Sequence, residues 1–312
     1  MFAVKASKER RSEMSRKRQK KKNRKVWLKW GLVLAEIVVL ALLICAVRYF
    51  YQEDQKKQSA VVFSWEDHKT IVHALGGLED KKYLNCKEGF GYFYEQGARL
   101  FEVDLEKTAD GVWVCRHDWE KPMGQWEGED RKVLMADAFL STPLYEKYTP
   151  LTLEDLFGLL KKHPDVYVTL DCKDYSNRNY ENTLADYKAY AEIARTAGAE
   201  SVLDQVIPEI YNQKMYKATE KVHHFPAYIY SLWQEYSVKQ LKKIAAYCKE
   251  NSISTVSIYY KYWSEDIQKL FDEQEINVYV YTVNKIKSAR KYLKAGAAGV
   301  ITDRILSEEL GN

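Results

Sequence analysis

Glu102 and Asp104 stand two apart in LFEVDLEKT (100–108), and Asp171 and Lys173 repeat that spacing in VYVTLDCK (166–173). Both runs are β-type, and alternate residues of a strand share a face, so each pair projects to one side. Carboxylates gathered this closely repel one another, and burying them without a partner is costly. A divalent cation removes the conflict, and the all-oxygen set Glu102, Asp104 and Asp171 favours Mg²⁺ or Ca²⁺ over zinc. Lys173 adds a positive charge beside them. His73, in TIVHALGG (70–77), and His117, in VWVCRHD (112–118), supply imidazoles that titrate near neutrality and suit general acid and base work. A cation, an ammonium and a histidine pair fit cleavage of an anionic phosphodiester, where charge builds on the non-bridging oxygens.

These groups converge only if neighbouring strands end at the same place. The apolar β-type runs are 70–77, 100–108, 166–173, 205–211, 226–232, 255–260, 277–284 and 298–303, with helical stretches between them at about 86–98, 151–163, 181–197, 212–221, 236–250, 263–274 and 285–295. Asp110-Gly111 between two β-type runs signals a hairpin, so 112–118 folds back on the second strand. Thr152, with Asp155 three positions on, reads as a helix N-cap. Residues 119–150 read as an irregular insertion over the site. Eight β/α units predict a (β/α)8 TIM barrel with a hairpin insertion after strand two, and the polar residues fall at strand C-termini, where such barrels carry their chemistry. An open doubly wound sheet is the alternative, but there is no GxGxxG turn.

The charge is uneven. Residues 1–29 hold 13 Lys/Arg and 2 Asp/Glu, a balance of +11, whereas residues 49–312 hold 34 and 41, a balance of −7. A mildly acidic body argues against a nucleic-acid-binding protein. The segment WGLVLAEIVVLALLICAVRYF (30–50) is apolar apart from Glu36 and Arg48, long enough to cross a bilayer, and flanked by aromatic residues. No small-residue cleavage site follows. The expected order is a basic cytoplasmic tail (1–29), a transmembrane helix (30–51), a juxtamembrane linker (52–69) and a barrel (70–312). The basic flank places the barrel outside the cell membrane. The cysteines lack zinc-ligand spacing.

The blocks VHALGG, FEVDLEKTADGVWVCRHD, LTLEDL, VTLDCK, VYTVN and GVITD follow one another as in glycerophosphodiester phosphodiesterases, of the phosphatidylinositol-phospholipase-C-like superfamily, and the chain resembles that family over about residues 70–305. The resemblance implies a barrel hydrolase with one divalent cation, Mg²⁺ or Ca²⁺, on Glu102, Asp104 and Asp171. It implies His73 and His117 as general acid and base. It places Lys173, Asn85, Glu209, Tyr281 and Asn284 against the substrate. The chain departs from the family pattern at four points. Ala74 stands where the family has a phosphate-gripping arginine, which is expected to leave room at the mouth. Leu84-Asn85 replaces Glu-Asn, Asp171 replaces Glu, and Tyr281 replaces Trp. The implied substrate is a glycerophosphodiester, a phospholipid headgroup or a cell-envelope phosphodiester, with Trp119, Trp126, Tyr211, Tyr230 and Tyr260 as candidate groove residues. Two other functions fit the residues less well. One is an inactive barrel kept as a membrane-anchored binding module. The other is a glycoside hydrolase, whose paired carboxylates come from separate strands.

Overall fold

A computed structural model describes residues 63–125, 132–173 and 178–311. The expected tail, transmembrane helix and most of the linker lie outside the described residues, as does Trp126. Among the described residues no helix is long and apolar enough to cross a membrane.

Among the described residues nine strands form one sheet: β1 (Thr70–Val72), β2 (Leu100–Lys107), β3 (Trp113–Cys115), β4 (Tyr167–Cys172), β5 (Val206–Ile210), β6 (Ile229–Leu232), β7 (Thr255–Tyr259), β8 (Asn277–Tyr281) and β9 (Gly299–Thr302). Eight are parallel and close on themselves, because β1 pairs with both β2 and β9. This is the TIM barrel expected of eight β/α units. The ninth, β3, is the hairpin return, antiparallel to the far end of β2 with Leu105 opposite Cys115. Its turn is built from the sequence TADG. The Thr108 hydroxyl donates to Asp110 and accepts from the Val112 amide, and Gly111 takes φ +84°, a conformation glycine adopts without a Cβ penalty.

The helices are α1 (Lys87–Glu95), α2 (Ala136–Ser141), α3 (Leu153–Lys162), α4 (Tyr180–Thr196), α5 (Gln213–Thr219), α6 (Val238–Glu250), α7 (Glu265–Asp272) and α8 (Ile286–Lys294). Thr152 caps α3 as expected, in a capping box with Asp155. Short α2 lies inside the stretch expected to be irregular, and its Ala136 amide donates to Asp110 of the hairpin turn.

Period-two alternation sorts each strand into two sets. The outward set, such as Phe101, Val103, Val168 and Leu170, joins the main core under the helices. The inward set begins with an apolar layer at the barrel floor: Ile71, Leu100, Tyr167, Ile207, Ile229, Tyr279 and Ile301 with Trp65. Gly299 makes this layer possible, because a Cβ there would lie 2.4 Å from the Tyr279 ring and 2.7 Å from the Lys69 carbonyl. Two residues beyond these floor positions on β2, β4, β5 and β6, and just past the end of β1, the inward positions turn polar: Glu102, Thr169, Glu209, Ser231 and His73. One pattern therefore produces a dry floor and a polar mouth.

Two barrel strands end well before the expected runs. The first stops at Val72, because Ala74 (φ 50°) and Leu75 (φ 57°) turn into the left-handed region and cannot continue a strand. The seventh barrel strand, β8, stops at Tyr281, leaving Thr282 and Asn284 in the loop beyond it.

Candidate active site

The site is a pocket of about 270 Å³ at the C-terminal end of the barrel, and its walls include His73, His117, Glu102, Asp171, Lys173, Glu209 and Tyr281. Strand register brings the acids together. Asp104 on β2 is level with Asp171 on β4, and Glu102 is one layer deeper, level with Thr169. Glu102, Asp171 and Glu209 each place a carboxylate oxygen within 4.8 Å of the other two, and all three side chains are buried.

The electrostatics are strained. Burial, and then the neighbouring Asp104, push the Glu102 carboxyl well above its ordinary value. Burial and Asp171 push Glu209 up to about 8. Burial also works against charge on Lys173, but Asp104, Asp171, Glu102 and Glu209 outweigh it and hold the ammonium well above its usual range. Its Nζ lies 2.7 Å from Asp104 Oδ1 and also pairs with Asp171. Four carboxylates thus face one ammonium, a deficit of positive charge in a buried all-oxygen cluster. That donor set fits a hard divalent cation.

Asp104 stands apart from the expected ligand trio. It is fully buried, with Oδ1 toward Lys173 and Oδ2 accepting from the Asn85 amide at 2.7 Å. Burial would raise its carboxyl, but Lys173, His117 and His73 outweigh that and hold it far below the ordinary range. The acid that completes the close cluster is Glu209, expected against substrate. Asn85 is also fully buried, and its side-chain oxygen accepts from the Asp104 amide at 3.1 Å, so its groups are spent on positioning Asp104. Asn284 acts similarly. Its side chain donates to Asp303 and accepts from the Asp303 amide at 2.8 Å.

Each histidine has a carboxylate on Nδ1. His73 Nδ1 is 2.7 Å from Asp303 Oδ1, and His117 Nδ1 is 2.7 Å from Asp118 Oδ2. Burial raises the Asp303 carboxyl, but His73, Asn284 and Lys82 outweigh it. Asp118 is held down in the same way by His117 and Lys121. An ionised carboxylate only accepts, so Nδ1 carries a proton in each ring and Nε2 is left to exchange one with substrate. Tyr83 packs between the rings, its centroid 5.1 Å from that of His73 and 4.5 Å from that of His117.

Arg116 holds the loop that presents His117. It is buried and donates to the carbonyl of Asp118 at 2.7 Å, to Gln125 Oε1 at 2.6 Å and to the Lys121 carbonyl. Ala74 does not open the mouth. Its side chain is fully buried, and its amide donates to Glu102 Oε2 at 2.6 Å. The aromatic wall also differs from expectation. Tyr211, Tyr259, Tyr281 and Trp233 line the pocket. Tyr230 packs outward in the core, and Trp119 meets Phe139 edge to face. Parity explains the exchange: Ser231 and Trp233 share the inward face of β6 and its extension, and Tyr230 lies between them on the other face.

The sequence matches the glycerophosphoryl diester phosphodiesterase family over residues 81–307, most of the chain. The chain belongs to that family. Its members are phosphoric diester hydrolases, and this protein is an enzyme of that class. No curated protein sequence matches it. Among solved structures, a glycerophosphodiester phosphodiesterase from Parabacteroides distasonis is 19% identical with a TM-score of 0.58, the match covering 75% of this chain and 93% of that one. The Thermotoga maritima glycerophosphodiester phosphodiesterase is 19% identical with a TM-score of 0.55, covering 75% and 94%. A phosphodiesterase from Oleispira antarctica, in complex with the product sn-glycerol-3-phosphate, is 16% identical with a TM-score of 0.58, covering 76% and 93%. At these identities the likeness establishes the fold. Within that shared fold the histidine–carboxylate pairs and the acidic cluster are features of this chain's own residues.

Proposed function

We propose that this family member is a metal-dependent phosphodiesterase, anchored in the cell membrane by residues 30–51, whose barrel hydrolyses a glycerophosphodiester, phospholipid headgroup or cell-envelope phosphodiester outside the cytoplasm. One observation carries the reading: two carboxylate-oriented histidines share a single pocket with a buried acidic cluster. Glu102, Asp171 and Glu209 would hold the cation, with Asp104 supporting them through Lys173. When bound, the cation supplies charge neutralisation at the phosphate oxygens. In the reaction a water oxygen forms a bond to phosphorus, and the bond from phosphorus to the leaving oxygen breaks. One histidine takes the water proton at Nε2, and the other gives its Nε2 proton to the departing alcohol. Asp303 and Asp118 keep each ring in the tautomer that permits this and stabilise it when it is charged. Lys173 holds positive charge beside the phosphate without leaving its carboxylates. The bound sn-glycerol-3-phosphate of the Oleispira antarctica enzyme is the product expected from a glycerol-bearing diester.

The test is hydrolysis of a panel of diesters by the full-length chain in detergent. Release of alcohol from at least one diester with Mg²⁺ or Ca²⁺, and none after chelation, is the expected result. No hydrolysis of any diester with either cation would instead favour a binding module. The topology is tested on intact cells. Added protease should digest the barrel and spare residues 1–29, and protection of the barrel would reverse the assigned orientation.

A further inference from the structure

We propose that Tyr211 is a positioning residue for the cation site. Its hydroxyl aims the short side chain of Asp171 at Glu102 and Glu209, supplying the reach that a glutamate would gain from its extra methylene. The inference rests on the cation reading of the same pocket and adds the residue that tunes it.

Glu102, Asp171 and Glu209 stand on β2, β4 and β5, and they do not start level. Glu102 is opposite Thr169, so Asp171 begins two residues nearer the mouth, about 7 Å along the strand. It has the shortest side chain of the three, yet one of its oxygens lies within 4.8 Å of a carboxylate oxygen on each glutamate. Such a reach depends on where the carboxylate points. Both its oxygens are held: the Tyr211 hydroxyl donates to Oδ1, and Lys173 pairs with Oδ2. Lys173 divides its charge between Asp171 and Asp104, whose Oδ1 is 2.7 Å from the ammonium. The Tyr211 hydroxyl has Asp171 as its only hydrogen-bond partner among the described residues.

The fold fixes the origin of that hydroxyl. Tyr211 follows β5 directly, two residues beyond Glu209 and so on the same inward face. It is buried, and it lines the pocket while packing against the main core. The next residue, Asn212, pins the turn: its side chain donates to the Arg178 carbonyl at 2.8 Å and accepts from the amides of Lys214 and Met215 at the start of α5. Glu102 has a counterpart donor in the Ala74 amide, 2.6 Å from Oε2, but that donor belongs to the backbone. The donor to Asp171 can be removed by taking away one oxygen atom. A carboxylate oxygen has two lone pairs, so Oδ1 can accept from the hydroxyl and face a cation at once. Hydrogen bonds behind a ligating carboxylate orient it, and losing one typically costs about 10–100-fold in metal affinity.

The experiment is calorimetric titration of Mg²⁺, and separately of Ca²⁺, into the full-length chain in detergent. Tyr211→Phe keeps the ring and should weaken cation binding by about 10–100-fold. Asp171→Glu should act differently in the two backgrounds. With Tyr211 present, the longer side chain is crowded against the hydroxyl, and affinity should stay level or fall. In the Tyr211→Phe background the same change should recover most of the lost affinity, a coupling that two independent sites would not show. The fitted constant refers to folded protein, so partial unfolding lowers the number of sites without imitating these shifts. Unchanged affinity in Tyr211→Phe, or a loss that Asp171→Glu does not recover, would overturn the proposal. A wild type that binds neither cation would overturn the cation reading and this proposal with it. Cation binding that depends on Tyr211, in a chain that hydrolyses no diester, would support the proposal and defeat the hydrolytic reading alone.

Discussion

Replacing His73 or His117 by alanine is expected to lower kcat by about 10²–10⁴, the usual cost of removing a group that moves a proton in the transition state. The two losses should be far from additive, because one proton transfer is of little use without the other. Asp303→Asn and Asp118→Asn should each lower kcat less than the loss of the ring they orient, since an amide can turn its donor toward Nδ1 and favour the wrong tautomer. The assay is initial rate against diester concentration for the full-length variants, with melting temperatures alongside. Full activity in both alanine variants would remove the histidines as catalysts, whatever the fate of the metal site.

The second large effect concerns the buried acids. A ligand bound only to the folded state stabilises it by about 2.7 kcal/mol at a hundred times its Kd. For a barrel of this size that amounts to a rise in Tm of roughly 5–10 °C on adding Mg²⁺ or Ca²⁺, reversed by chelation. Glu102→Gln and Glu209→Gln should abolish the response. In chelator the same substitutions should leave the Tm level with the wild type or raise it, because removing one of several crowded carboxylates relieves repulsion. That opposite sign distinguishes a cation site from an ordinary structural cluster, in which Gln would lower the Tm under both conditions. A melting curve indifferent to chelator and to both cations would refute the assignment.

Much of this site is legible in the sequence. Period-two spacing put Glu102 with Asp104 and Asp171 with Lys173, and the structure brings all four to one end of the barrel. The hairpin was legible because Asp110-Gly111 admits few other conformations. Groups that act through long-range partners were hidden. Asp303 sits in the quoted block GVITD, yet its role becomes visible only when the last strand is laid beside the first. Arg116 carries no signal of its own in VWVCRHD, because its burial depends on the carbonyls of a loop that folds around it. Glu209 carries a clear signal, a single acid inside the apolar run VIPEI. Trp233 was missed because the run 226–232 stops one residue short of it, although counting by twos from Ile229 arrives there.

The bond between His73 and Asp303 joins residues 230 positions apart, one at the end of β1 and the other just beyond β9. An imidazole placed early in synthesis thus receives its orienting partner almost last, when the final strand closes the ring. A chain cut or stalled before Asp303 can hold His73, His117 and every acid of the cluster and still lack the group that sets the His73 tautomer. Catalytic competence is therefore gained at closure, and a rate measurement on nascent or truncated chains reports whether the barrel has shut.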